Sequence, residues 1–175
     1  MQQLPCSDVE VEPLPGTAKP GSVYVLFEWP EAWPRDVMGD AALGEELTAK
    51  LAPKLEEHNA TLLLIRHPTR EGRNISDHHL YLVFADEAVT EVKHVDSPDE
   101  LLELDLSGPG RNGAERRERP LLLICTHAKR DRCCAAKGRP LLNELHARHP
   151  FGPGNDMEWE LSLIHISEPT RLRRI

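Results

Sequence analysis

Six short segments with strand character, each bounded by polar or Pro/Gly-rich stretches, constrain this chain more than any other feature. They are VYVLFEW (23–29), TLLLIRH (61–67), HLYLVFA (79–85), VTEVKHV (89–95), LLLIC (121–125) and MEWE (157–160). Their β-branched and aromatic content, with alternation in the first and fourth, marks strands. Three helical segments fall between them. In DAALGEELTAKLAPKLEE (40–57), Leu43, Leu47, Leu51 and Leu55 recur every four residues and so share one helix face, with Pro53 expected to kink or shorten it. Ser97-Pro98-Asp99-Glu100 is a capping box that starts a short helix, DELLELDL. Pro140 opens a third helix, whose apolar face is Leu141, Leu142 and Leu145 and which runs through Arg148.

Strands that alternate with helices predict an α/β sandwich. The expected divisions are an irregular arm over 1–21, an N-terminal α/β region over 22–106, a linker over 107–120 and a second α/β unit over 121–160. A thioredoxin-like layout suits that second unit. The linker, SGPGRNGAERRERP, holds no large apolar residue, and its ERRER run (115–119) reads as a charged connector before a docking patch. His78 and His79 are expected in solvent ahead of their strand. Trp29, Trp33, Pro30 and Pro34 are expected to pack at the end of the first strand.

Charge and length narrow the function classes. The 175 residues carry a formal net charge of -8, which argues against a nucleic-acid groove. No apolar run approaches the ~20 residues of a membrane-spanning helix. MQQLPCSDVEVEP lacks the basic-then-apolar layout of a secretory signal, so the expected location is the cytoplasm. In that compartment clustered cysteines are more often metal ligands or redox groups than structural disulfides.

Three of the four cysteines lie in CTHAKRDRCC (125–134). Cys125 ends a strand and Cys134 precedes a helix, with eight residues between them to bring both sulfurs to one point. Lys129, Arg130, Arg132 and Lys137 surround them, and positive neighbours near a helix N-terminus favour thiolate, the form that iron–sulfur clusters and soft metals bind. Adjacent Cys133 and Cys134 do not suit a mutual disulfide. The spacing leaves three readings open: half of a metal or cluster site, a redox thiol site using Cys125, Cys133 or Cys134, and a structural loop. The lack of CxxC weighs against a thioredoxin-type dithiol. A cluster also needs four ligands. Cys6, on the arm, is not expected to be one.

The segment CTHAKRDRCCAAKGRPLLNEL resembles the core of the sucrase/ferredoxin-like family, whose pattern is roughly C-x-H-x-x-R-D-x-x-C followed by Gly and Pro. It is filled here by Cys125, His127, Arg130, Asp131, Cys134, Gly138 and Pro140. The Cys-Ser arm, the Gly-Thr-Ala stretch, the Pro/Trp turn, LLLIRHP and ELLELDL are similar in character and order, so the resemblance covers about residues 5–160. It implies a thioredoxin-like fold in the C-terminal half and a [2Fe–2S] cluster with mixed Cys/His ligation. Cys125 and Cys134 would be the two cysteine ligands, with His127, Arg130 and Asp131 around them. The implied activity is non-enzymatic single-electron transfer to an unidentified redox partner protein, with no nucleic acid or membrane involved. The alternatives are the thiol-redox protein and a non-catalytic interaction domain.

The resemblance also implies two histidine ligands, in an H-x-x-x-H stretch shortly after a Trp-Glu pair. Trp159-Glu160 is present, but LSLIHISEPTR (161–171) follows it. That run is identical to a reading frame of a common transposon-derived sequencing adaptor. On this reading residues 161–175 are non-native, His165 is not a ligand, and the second unit is truncated. The tail carries three Arg and one Glu, so without it the net charge changes from -8 to -10. A chain without the histidine stretch is expected to bind the cluster poorly.

Overall fold

The computed structural model describes residues 21–67, 76–119, 121–129, 134–149 and, for the backbone, 158–161. Among the described residues seven strands form one mixed sheet in the order β5-β4-β3-β1-β2-β7-β6. They are β1 (Val23–Glu28), β2 (Ala60–Arg66), β3 (His78–Phe84), β4 (Val89–Val95), β5 (Glu115–Arg116), β6 (Leu122–Cys125) and β7 (Glu158–Leu161). Two helices accompany them, α1 (Glu45–Glu57) and α2 (Arg139–Arg148), with a 3-10 segment at Pro98–Glu103. The α/β class expected from the alternation is the one observed.

The chain makes the same move twice. β1-α1-β2 and β6-α2-β7 are each a parallel strand pair joined through a helix. The two units meet at an antiparallel seam, where Ile65 pairs with Leu161 and Arg66 with Glu160. On the other side of β1, β3 and β4 add as an antiparallel hairpin. One sheet therefore carries strands from both sides of the 107–120 segment.

Alternation along the central strands sorts side chains onto two faces. Val25, Phe27, Leu62, Leu64, Leu80 and Leu82 pack with Leu51 and Leu55 of α1 and with Leu101, Leu104 and Leu106. Leu26, Leu63, Ile65 and Tyr81 lie on the other face. The 107–120 segment contributes to that second face. β5 pairs with β4, and the guanidinium of Arg117 lies 5.6 Å over the Tyr81 ring. Gly110, at φ +80°, turns its amide to the buried carboxylate of Glu91 at 2.6 Å.

Several local expectations are corrected. α1 begins at Glu45, because Gly44 before it sits at φ +97° and outside the helix. Pro53 does not end α1, which continues to Glu57. Its missing amide falls on the exposed face, beside exposed Ala49 and Ala52, while Leu47, Leu51 and Leu55 hold the opposite face on the sheet. A proline inside a helix costs about 3 kcal/mol relative to alanine, and proline restores up to about 1 kcal/mol by stiffening the unfolded chain. Pro53→Ala is thus expected to raise stability by roughly 2 kcal/mol by these terms, read as a higher denaturation midpoint at unchanged cooperativity. The helix expected after Ser97 is a 3-10 segment that stops before Leu104. On α2, Leu142 is fully buried but Leu141 is 53% exposed.

His78 and His79 lie inside β3, not in solvent ahead of it. His78 is buried, donates from Nδ1 to the Glu28 carbonyl at 3.0 Å and packs against Phe27 and Trp29. Among the described residues no helix is long and apolar enough to cross a membrane.

Candidate cluster site

Cys125 is the last residue of β6, the edge strand beyond β7. Thr126 and His127 follow it into the interior, at 3% and 7% exposure. The chain re-enters the described structure at Cys134, the first residue of a wide helical turn of π geometry, Cys134–Gly138, that leads into α2. Such turns often occur at functional sites because they displace side chains from the regular helical spiral. The two thiols meet: buried Cys134 packs against half-buried Cys125, and they are not disulfide-bonded.

Gly138 sets the approach of this turn to the strand. A Cβ on Gly138 would lie 2.0 Å from the carbonyl oxygen of Cys125 and 3.1 Å from its carbonyl carbon. Only a residue without a side chain lets the helix start this close to the strand end, so glycine is required here by contact and not by an unusual dihedral (φ -67°, ψ -41°). Pro140 sits in the first turn of α2, where its missing amide has no helical partner to lose. Lys129, between the two cysteines in sequence, and Lys137, three residues after Cys134, are exposed.

The β1–α1 connection supports the site from below. Trp33 is 5% exposed, and its indole Nε1 donates to the Trp29 carbonyl at 3.0 Å. The Arg66 guanidinium lies 4.2 Å over the Trp33 ring and donates to the Glu31 carbonyl. The His127 ring meets Trp33 edge-on, with centroids 5.9 Å apart. The Trp/Pro cluster thus packs at the strand end as expected, and its partner is the base of the cysteine loop. Neither Trp33 nor Arg66 was marked as a site residue by the sequence. The WPEAWP run was the available signal for the first, and Arg66 had none.

Of the sequence-derived site residues, the structure brings Cys125 and Cys134 together and places His127, two residues after Cys125, buried against Trp33. Arg130, Asp131 and Cys133 lie outside the described residues, as do Arg132, Cys6 and His165. Among the described residues no group of three or more His, Cys, Asp or Glu side chains converges as a metal site.

Against this geometry, the sucrase/ferredoxin-like family matches residues 14–166, most of the chain. The chain belongs to the sucrase/ferredoxin-like family. The match spans both βαβ units and the cysteine loop, so the resemblance read from CTHAKRDRCC extends over the whole described sheet. No curated protein and no solved structure gives a match. Within the sucrase/ferredoxin-like chain, the cysteine pair packs together at a strand end, with a glycine-dependent contact at the helix start and Trp33 against His127.

Proposed function

We propose that this chain derives from a ferredoxin-type electron carrier in which Cys125 and Cys134 are the two thiolate ligands of a [2Fe–2S] cluster. The observation that carries the reading is the meeting of these two thiols across a loop of eight residues, at a strand end and a helix start. Family membership supports it. The strand order β4-β3-β1-β2 with β3 alone antiparallel is the order of a thioredoxin-like sheet, but it falls within residues 23–95, not in the C-terminal unit where that layout was expected, and it does not include the cysteine-bearing β6.

A [2Fe–2S] cluster takes four protein ligands, and the residues present fit the thiol half of it. When bound, the cluster would supply one-electron chemistry. The chain's own part is to hold two sulfurs, to offset negative charge with Lys129 and Lys137, and to keep the loop base dry through Thr126, His127 and Trp33. The other two ligands of the proposed parent are histidines downstream of Trp159-Glu160, with the residues from 161 onward being adaptor-derived. Leu161 still pairs as the last residue of β7, a backbone role that any non-proline residue can fill.

The test is anaerobic reconstitution with ferrous iron and sulfide, followed by visible absorption and electron paramagnetic resonance of the reduced sample. This chain is expected to hold well under one cluster per molecule and to lose it on desalting. A version continued past Glu160 from intact genomic template is expected to encode His-x-x-x-His and to hold one cluster. Cys125→Ser should abolish that binding. A stable, stoichiometric cluster on the 175-residue chain would overturn the missing-ligand half of the reading. Retained binding in the Cys125→Ser version would overturn the thiol half.

The same contact favours a second reading, a thiol-redox protein in which Cys125 and Cys134 exchange between dithiol and disulfide. Iron-independent reduction of a disulfide substrate, lost in both Cys125→Ser and Cys134→Ser, would select it.

A further inference from the structure

His79 on β3 and His94 on β4 oppose each other directly in the antiparallel register. Directly opposed residues project from the same face of a sheet, and here the ring centroids are 4.2 Å apart. Each ring is anchored through the same nitrogen. His79 Nδ1 is 2.8 Å from Glu28 Oε2, and His94 Nδ1 is 2.8 Å from Asp77 Oδ1. An ionised carboxylate only accepts, so Nδ1 carries a hydrogen, and in the neutral ring the lone pair is then on Nε2. Glu28 is itself fixed: it is 7% exposed and also accepts the His79 backbone amide at 3.0 Å.

A carboxylate behind each imidazole is the arrangement that orients metal-binding histidines and raises their basicity. Two such pairs side by side are unlike scattered surface histidines, whose rings have no fixed direction. The His79 and His94 side chains are 28% and 50% exposed, so a solvated ion can reach both. We propose that His79 and His94 form a cross-strand site for a borderline divalent transition ion of the zinc or nickel class, which imidazole suits. Because no third donor converges among the described residues, the protein supplies two ligands and water or a partner's side chain supplies the rest. The ion therefore exchanges more readily than in a four-ligand structural site. His79 is four and His94 five strand positions from β6, about 19 and 24 Å at ordinary strand spacing, so the pair is separate from the thiols.

The test titrates Zn²⁺ alone into the full chain while the histidine ring proton signals are followed by NMR, with His94→Gln used to assign the pair. The His79 and His94 signals are expected to move together and saturate with one ion. His94→Gln should weaken the His79 response at least about tenfold, and Asp77→Asn should weaken both by about 10- to 100-fold, as loss of an orienting carboxylate does. Cys125→Ser should leave the pair's titration unchanged, which separates this site from zinc taken up by thiols. Unshifted His79 and His94 signals at saturating Zn²⁺, or a His79 response of full affinity in His94→Gln, would overturn the proposal.

Discussion

Replacing Gly138 with alanine is expected to break the contact that holds the two thiols together. The added methyl would lie 2.0 Å from the Cys125 carbonyl oxygen, and both nearest atoms belong to the backbone. Neither can swing aside as a side-chain tip would. Either the Cys134–Gly138 turn lifts from the strand or the end of β6 moves. In an ordinary helical site the same change stabilises by about 0.5–1 kcal/mol, and Gly138 has helical dihedrals. The contact reverses that sign, with a net loss of at least about 3 kcal/mol, the upper end of what overpacking costs. Chemical denaturation reads the loss directly. The rate at which a thiol reagent modifies Cys134, 9% exposed in the native fold, should rise in parallel. A variant with the parent's midpoint and slow Cys134 modification would show that the helix does not start where the structure places it.

Phe27→Ala is expected to cost about 3–5 kcal/mol, the range for deleting a buried phenylalanine ring. Phe27 is fully buried in the central strand, on the face covered by α1, and its ring lies 5.1 Å from His78 and 5.9 Å from Trp29. Removal leaves a cavity that two flat rings cannot close without giving up the hydrogen bond from His78 to the Glu28 carbonyl. The loss is a large share of the roughly 5–15 kcal/mol that stabilises a typical domain. It should appear as a lower midpoint with an unchanged slope, since the surface exposed on unfolding is nearly the same. A midpoint within experimental error of the parent's would contradict the packing on that face.

Local patterns made six of the seven described strands readable to within a residue or so at each end, because β-branched and aromatic runs bounded by turn residues carry their own boundary signals, whereas β5 lies in the charged run that reads as a connector. Leu47, Leu51 and Leu55 likewise revealed the buried face of α1. Sheet order was not readable in the same way. That β7 lies between β2 and β6 depends on pairing across about a hundred residues, and EWEL carries no mark of its neighbours. His78 and His79 misled because an imidazole reads as polar, whereas the fold satisfies both rings through Glu28, once by its carbonyl and once by its carboxylate. At the site, strand end and helix start were enough to pair Cys125 with Cys134. The need for glycine at 138 was visible only as a motif position, since its cause is a carbonyl thirteen residues upstream. His127 was marked, but the Trp33 and Arg66 beneath it come from other elements and needed the tertiary structure.

The position of β7 also orders events during synthesis. β1 to β4 can pair with one another as they leave the ribosome, each with a neighbour already made. Among the described strands, β6 has β7 as its only neighbour, and β7 is the last of them to be made. The strand that ends in Cys125 therefore has no place in the sheet until residues 158–161 have emerged. The thiols are displayed on an unpaired edge for the whole of that interval, and such edges are where nascent chains aggregate or react.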